Sequence, residues 1–223
     1  MRSRPVITID GPSGAGKTTV SIRLAEAAGM IRLDTGAMYR AVALASRSKG
    51  VPWDDPARLG GVARTLALSF RTVAGVPRVF LSGEDVSDAL RTPEISMGAS
   101  AVSAHGPVRE ALVEKQREMA REGGVVLEGR DTGTVVFPDA EAKFFLDAAA
   151  AVRARRRFLE VSPPGGQPFE EVLRDVLRRD VQDSTRVNSP LRMADGAVYI
   201  DTTTMTVDEV VGEMLRRLPG IPR

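Results

Sequence analysis

Residues 11–18, GPSGAGKT, constrain the fold of this chain more than any other part of its sequence. They match the pattern G-x-x-x-x-G-K-[ST] and lie directly between an apolar run, 5–10, and an amphipathic stretch, 16–28. Glycines in such a turn let backbone N–H groups face inward, and the following helix adds the positive end of its dipole. The sequence therefore predicts a strand, a phosphate-binding loop and a helix.

The loop motif also predicts roles for individual side chains. Lys17 is expected to bridge the β- and γ-phosphates of ATP, and Thr18 to give its hydroxyl to Mg²⁺. The residues expected to bind ATP are Gly11, Pro12, Ser13, Gly14, Ala15, Gly16, Lys17, Thr18 and Thr19. Since GTPases, helicases, transporters and small-molecule kinases share this loop, it does not name a reaction.

Apolar runs alternate with amphipathic stretches along the remaining chain. Strands are predicted at 5–10, 31–33, 125–127, 143–146 and 197–200. Helices are predicted at 16–28, 37–48, 56–67, 93–103, 107–121, 148–160 and 169–187, and from a Thr206–Glu209 capping box to 218. Two short strands, 68–71 and 79–82, around a turn at 75–77 indicate a small antiparallel insertion. The alternation favours a three-layer α/β domain with a mainly parallel sheet.

Composition narrows the class of protein further. At 223 residues, with 43% hydrophobic and 27% charged residues, the chain has the size of one globular domain. It has no cysteine, which excludes disulfides and thiolate metal sites, and no apolar stretch near the ~20 residues of a membrane span. A cytoplasmic location is expected. Net charge is only +2, and the arginine excess fits codon bias and solvated helices as well as anion binding.

A kinase needs a second pocket that holds the acceptor in line with the transferred group. Ligands collect at the carboxyl ends of parallel strands, so polar clusters there are candidates. Two clusters, LDTGAMYR at 33–40 and EGRD at 128–131, follow predicted strands. A third, 178–186, lies near the end of a predicted helix.

The motifs of the chain resemble those of bacterial cytidylate kinases, which are P-loop nucleoside monophosphate kinases. The runs that carry the resemblance cover essentially the full chain, in order: GPSGAGKTT, LDTGAMYR, EGRDTGTVVFPDA, RRDVQDSTR and IDTTTMTVDEVV. It implies a P-loop kinase fold with a parallel central sheet, in a single domain, 1–223. Within it we expect an antiparallel nucleoside-monophosphate-binding insertion at about 62–104 and a helical lid at about 150–170. The implied reaction transfers the ATP γ-phosphoryl group to CMP or dCMP, giving CDP or dCDP and ADP.

The resemblance also implies which residues bind the acceptor. Those for the phosphate are Arg40, Arg130 and Arg186; those for cytosine are Ser100, Arg109 and Asp131; those for the sugar are Arg179 and Asp183. Thr35 joins this set, although many relatives carry serine there. A hydroxyl or carboxylate acceptor beside a guanidinium donor complements the edge of cytosine, and arginine forks suit phosphate. Asp131 could instead cap the following turn, and Asp34 could be a helix N-cap.

Four arginines, Arg153, Arg155, Arg156 and Arg157, lie on one predicted lid helix. Helical spacing scatters their charges around the axis, so at least one is expected to be a bystander. Arg153 and Arg157, four residues apart on one face, are the preferred pair for the transferred phosphoryl group. They join Lys17 and Arg130 as expected catalytic residues. The composition of 162–166, SPPGG, indicates a flexible tip.

Two alternatives remain open at this point. One is a kinase for UMP, AMP or another metabolite; the other is a P-loop switch or hydrolase that binds nucleic acid or a protein. Aromatic residues form only 4% of the chain, which disfavours a stacking platform for nucleic acid. The expected partners are therefore small-molecule nucleotides, with neither nucleic acid nor membrane, and the resemblance favours a monomer. His105 and Trp53 are expected to have no catalytic role.

Overall fold

A computed structural model describes residues 2–161 and 167–218, and the chain divides into two compact units. The first unit comprises Met1–Arg32 and Glu122–Arg223, and the second comprises Leu33–Arg121. The tip expected at 162–166 lies outside the described residues, so its flexibility stays a prediction. The predicted limits of the insertion and the lid stay predictions as well.

Strands and helices are numbered here in chain order. The strands are β1 (Val6–Asp10), β2 (Ile31–Asp34), β3 (Leu68–Val73), β4 (Val76–Leu81), β5 (Glu84–Asp85), β6 (Val125–Gly129), β7 (Ala142–Asp147) and β8 (Val198–Asp201). The helices are α1 (Lys17–Ala27), α2 (Thr35–Ser48), α3 (Pro56–Arg64), α4 (Pro93–Val102), α5 (Gly106–Met119), α6 (Ala150–Val161), α7 (Phe169–Thr185) and α8 (Val207–Arg217). Most lie within two or three residues of their predicted limits.

The first unit is built on a five-stranded sheet in the order β2-β6-β1-β7-β8. Strand β1 pairs in parallel with β6 and with β7, and β7 pairs in parallel with β8. All five residues of β1 are buried, because apolar side chains of α1 and α8 belong to the same core as those of the sheet. Asp10, the last residue of β1, is in register with Gly129, the last of β6. The α/β prediction is confirmed, and both polar strand ends lie at one edge of this sheet.

The second unit combines helices α2 to α5 with an antiparallel sheet in the order β3-β4-β5. The predicted insertion is confirmed as antiparallel, but the turn predicted at 75–77 lies one residue earlier. Ala74 and Gly75 both have positive φ, 50° and 77°, as a two-residue hairpin turn requires. Pro77 instead lies in β4 opposite Thr72, beyond the part of β4 that pairs with β5, where a missing N–H costs no ladder bond.

Two short helical turns were not predicted from the sequence. A 3₁₀ turn spans Ala89–Arg91, and a π-helical turn spans Thr132–Val136, immediately after the EGRD cluster. Isolated π turns are rare and often occur at functional sites. The predicted capping box is confirmed, since Thr206 and Glu209 exchange both of its hydrogen bonds at the start of α8.

Within the described part of the chain, every helix is too short or too polar to cross a membrane.

Candidate active site

The loop 11–18 joins β1 to α1 and follows the backbone path that its glycines predict. Gly14 and Gly16 have φ values of 79° and 86°, in the left-handed region. A Cβ added to Gly14 would lie 2.9 Å from both the Cβ and the carbonyl oxygen of Arg153. Helix α6 therefore packs against the loop so closely that a side chain at Gly14 is excluded.

Four consecutive carbonyl groups of this loop accept hydrogen bonds from side chains of the first unit. The pairs are Lys17 Nζ to Pro12 (2.6 Å), Arg153 Nη1 to Ser13 (3.2 Å), Arg156 Nη1 to Gly14 (3.3 Å) and Thr202 Oγ1 to Ala15 (3.1 Å). With its carbonyl groups held in this way, the loop has a fixed backbone direction. In a glycine-rich loop before a helix, the backbone N–H groups are the groups that bind phosphate.

The arginines of α6 separate into buried and exposed positions. Arg153 has only 7% of its side chain exposed, and its Nη1 and Nη2 donate to the two carboxylate oxygens of Asp180 at 3.0 and 2.7 Å. Arg156 donates to both the hydroxyl and the carbonyl oxygen of Thr202. Arg157, the other half of the preferred pair, is 41% exposed and lies 3.5 Å from Glu160. Arg153 thus contacts the loop itself, and direct action of Arg153 and Arg157 on the phosphoryl group stays a prediction.

Lys17 lies in the first turn of α1 and is buried. Burial, and then the nearby Arg130, lower the pKa of the Lys17 ammonium well below its ordinary value, although Glu128, Asp10 and Asp183 oppose this shift. A buried cation in such surroundings is costly until an anion arrives. The position therefore favours binding of negatively charged phosphate groups.

Thr18, the expected metal ligand, has an acidic neighbour on β6. Its hydroxyl donates to Glu128 Oε1 at 3.1 Å, and Ser21 donates to Glu128 Oε2 at 3.0 Å. Arg32 pairs with the same carboxylate and also donates to Ser21 at 2.8 Å. Glu128 has only 5% of its side chain exposed, so the carboxylate is held firmly beside the loop hydroxyl.

The donor set around Thr18 consists of side-chain oxygens. Among the described residues, no group of three or more histidine, cysteine, aspartate or glutamate side chains is close enough to hold a metal. Mg²⁺ prefers oxygen ligands and commonly uses one or two protein groups together with substrate phosphates and waters. A hydroxyl and a carboxylate beside a phosphate-binding loop fit this pattern.

The acceptor residues predicted in the first unit lie together. Arg130 Nε donates to Asp183 Oδ2 at 2.7 Å, and Arg186 lies 3.8 Å from Asp183 and 3.7 Å from Asp131. Burial raises the pKa of Asp183, but Arg130, Arg179 and Arg186 outweigh it and lower that pKa below its ordinary value. Three guanidinium groups around two carboxylates leave an excess of positive charge, as an anionic ligand requires.

The acceptor residues predicted in the second unit lie on α2, α4 and α5. Arg40 Nη2 donates to Asp34 at 3.0 Å, and its buried Nε has no hydrogen-bond partner among the described residues. Arg109 is 4% exposed, donates to the Ser103 carbonyl at 3.0 Å and has its guanidinium carbon 5.3 Å from the centre of the Tyr39 ring. Ser103 donates in turn to the carbonyl of Ser100. Thr35, the first residue of α2, is buried.

The sequence left open whether Asp34 and Asp131 cap the helical turns that follow them. Asp34 is the N-cap of α2, since its carboxylate accepts a hydrogen bond from Ala37 N at 2.8 Å, while it also pairs with Arg40. Asp131 stands at the N-cap position of the π-helical turn but makes no side-chain capping bond there. His105 is the N-cap residue of α5 and contacts the Trp53 carbonyl, as expected of a helix-end residue.

Several residues at this site were given no individual role by the sequence analysis. Glu128 could have been found, because a carboxylate at the end of a strand beside the loop is a known metal partner in P-loop proteins. Arg156, Asp180 and Thr202 carry no local signal, since their contacts depend on how α6, α7 and β8 pack around the loop.

The family model that matches this chain and two of its relatives carry the same description. The family model described as Cytidylate kinase matches residues 7–219. A Cytidylate kinase of Geobacter sulfurreducens is 51% identical over 210 residues, which cover 94% of this chain and 90% of that relative. A Cytidylate kinase of Pasteurella multocida is 41% identical over 216 residues, with 96% and 95% covered. An uncharacterized protein from Eubacterium ventriosum aligns over 97% of this chain and 99% of its own, with a TM-score of 0.51 and 11% identity, which bears on the fold alone.

Proposed function

Because the chain belongs to the cytidylate kinase family, its reaction is transfer of the ATP γ-phosphoryl group to CMP or dCMP, and we propose how its residues divide this work. ATP is assigned to the loop 11–18 and Thr19. The observation that carries this assignment is the loop itself, whose four carbonyl groups are held by side chains. Its N–H groups and the dipole of α1 suit the phosphates of a nucleotide.

Each unit supplies anion-binding side chains that are proposed for CMP. In the first unit, Arg130 and Arg186 are proposed for the phosphate, Arg179 and Asp183 for the sugar, and Asp131 for the base. In the second unit, Arg40 is proposed for the phosphate, Ser100 and Arg109 for the base, and Thr35 as a further contact. The buried, unsatisfied Nε of Arg40 supports its role, because a ligand oxygen would supply the missing acceptor.

The metal is proposed to be Mg²⁺, with Thr18 and Glu128 as the protein groups that hold it, directly or through water. When bound, it supplies positive charge that offsets the charge developing on the phosphate oxygens. Oxygen donors without nitrogen or sulfur favour Mg²⁺ over softer metals.

Positioning and charge neutralisation account for the chemistry without a general base. The acceptor oxygen belongs to the phosphate of CMP, which is largely ionised near neutral pH and needs no deprotonation. It forms a bond to the γ-phosphorus of ATP while the bond from that phosphorus to the β-phosphate oxygen breaks, and ADP leaves. Lys17, Arg130 and the proposed lid arginines, Arg153 and Arg157, stabilise the negative charge on the transferred group.

The substrate assignment is tested by ADP release from Mg²⁺ and ATP with CMP, dCMP, UMP, AMP or GMP, beside a reaction without acceptor. We expect strong stimulation by CMP and dCMP and weak stimulation by UMP. Uracil reverses two of the hydrogen-bonding positions of cytosine, so buried groups would be left unpaired. ADP release that is the same with and without every acceptor would instead indicate a hydrolase or switch. A cytoplasmic, monomeric enzyme remains part of this proposal.

Replacement of Glu128 by glutamine is expected to raise the Mg²⁺ concentration needed for half-maximal binding by about 10-fold to 100-fold. Glutamine keeps the size of the side chain but removes the charge that attracts the metal. The measurement is a titration of the enzyme and ATP with Mn²⁺, a paramagnetic substitute for Mg²⁺. Electron paramagnetic resonance measures the concentration of free Mn²⁺ at each step. Ser21→Ala serves as the control, since it removes one hydrogen bond to Glu128 and keeps the carboxylate. Equal Mn²⁺ affinity in E128Q and the unmodified protein would exclude Glu128 from the metal site.

A further inference from the structure

Asp10, the last residue of β1, is a buried carboxylate that the phosphoryl transfer described above does not use. Its Oδ1 accepts hydrogen bonds from the backbone N–H of Thr132 at 2.9 Å and from the Thr132 hydroxyl at 2.8 Å. Its Oδ2 accepts a third from the backbone N–H of Gly133 at 2.7 Å. All three donors belong to the start of the π-helical turn that follows Arg130 and Asp131.

These hydrogen bonds make Asp10 the cap of the turn. The first N–H groups of a helical turn have no partner inside it, and the residue at the N-cap position usually supplies one. That residue is Asp131, which makes no capping bond. Its carboxylate lies 3.7 Å from Arg186 instead.

The π-helical turn is tightly packed at Gly133. A Cβ added to Gly133 would lie 2.9 Å from the Thr8 hydroxyl, 3.2 Å from the Cβ of Ala194 and 3.4 Å from Asp10 Oδ2. Glycine at this position therefore lets the backbone approach Asp10 closely enough for the third hydrogen bond.

We propose that Asp10 is a positioning residue for the acceptor: it caps the π-helical turn in place of Asp131 and so keeps the Asp131 carboxylate directed toward the cytosine base. This inference rests on the proposed role of Asp131 in base recognition. Without Asp10, the unpaired N–H groups of Thr132 and Gly133 would draw Asp131 into the capping position. The base-reading carboxylate would then be withdrawn from CMP.

The electrostatics of Asp10 support a role beyond stability. Burial raises the pKa of Asp10 from its ordinary 3.8 to about 6; the hydrogen bonds from Gly133 and Thr132 oppose this, and the charge of Asp131 adds to it. The charge of Asp10 also acts on Lys17, whose pKa it raises against the effect of burial. Since the folded pKa is raised, the folded state binds the proton more tightly than the unfolded chain, and stability from this group falls as pH rises from about 4 to about 6. Asp10 is therefore ionised at neutral pH at a cost in stability, which is characteristic of functional positions.

The first test replaces Asp10 by asparagine in the full-length enzyme. An amide has one acceptor oxygen where the carboxylate has two, so one N–H of the turn would face an NH₂ group. We expect KM for CMP to rise about 10-fold to 100-fold and the preference for CMP over UMP to fall, with a much smaller change in KM for ATP. An equal rise in KM for ATP and CMP, or an unchanged preference for CMP over UMP, would overturn the proposal.

A matched pair in the same turn keeps the proposal testable if D10N folds poorly. Thr132→Val removes a hydroxyl that donates to Asp10, while Thr134→Val removes a buried hydroxyl with no hydrogen-bond partner among the described residues. Both exchanges have the same size and chemistry. We expect T132V to raise KM for CMP and T134V to leave it unchanged, and equal effects would contradict the proposal. Failure of the unmodified enzyme to phosphorylate CMP would contradict the proposed function instead, so the two failures are distinct.

Discussion

We expect Lys17→Met to lower kcat by at least about 1,000-fold, because it removes the cation that stabilises the transferred phosphoryl group. Methionine fills much of the same space. Burial and Arg130 lower the pKa of Lys17, so its charge destabilises the folded protein, and its loss is not expected to lower the thermal unfolding midpoint. The measurements are steady-state ADP release with saturating CMP and thermal unfolding of the same preparation.

Lys143→Met is the matched control for this experiment. Lys143 lies on β7, where its Nζ donates to the Asp195 carbonyl at 3.0 Å in an exposed position. It carries the same charge as Lys17 but lies outside the loop. A K17M enzyme with kcat close to that of K143M would refute the assignment of Lys17 to the transfer step.

Arg130→Ala is expected to lower kcat/KM for CMP by about 100-fold to 1,000-fold and to leave ATP binding nearly unchanged. Arg130 pairs with Asp183 and lies in the cluster that also contains Arg186, so its loss removes positive charge from the acceptor site. Asp131→Ala is also expected to lower kcat/KM for CMP and to leave ATP binding nearly unchanged. Steady-state kinetics with CMP varied, and calorimetric titration with ATP, separate the two effects.

Arg178→Ala provides the comparison for Arg130. Arg178 lies on α7, is 70% exposed and pairs with Asp175 at 2.8 Å, as an ordinary surface arginine does. We expect Arg178→Ala to change neither kcat/KM for CMP nor the affinity for ATP. An equal loss of ATP and CMP affinity in R130A would reject the separation of donor and acceptor residues in the first unit.

Features encoded locally could be predicted from the sequence. The strand, loop and helix around residues 5–28 were predicted within one residue, because the glycines, the lysine and the flanking patterns lie next to one another. The Thr206–Glu209 capping box depends on residues three positions apart and was also predicted. The turn near Gly75 was placed one residue late, because the proline was assigned to the turn and not to the strand.

Features that depend on packing between distant segments could not be predicted. Helical spacing alone does not show which arginine of α6 faces the loop, and only the packing identifies Arg153 and Arg156. The contacts of Glu128 and Asp10 depend on the order of β6 and β1 in the sheet, which no local pattern encodes. The π-helical turn has no sequence signature of its own, and its cap lies 122 residues away in the chain.

The carbonyl groups held at residues 13–15 bear on the thermodynamics of ATP binding. A flexible loop would lose conformational entropy when it closed around the phosphates, at roughly 1–2 kcal/mol for each residue fixed. Here Arg153, Arg156 and Thr202 order the loop during folding, before any nucleotide arrives. More of the interaction energy with the phosphates is then available as affinity, and the on-rate does not wait for the loop to rearrange.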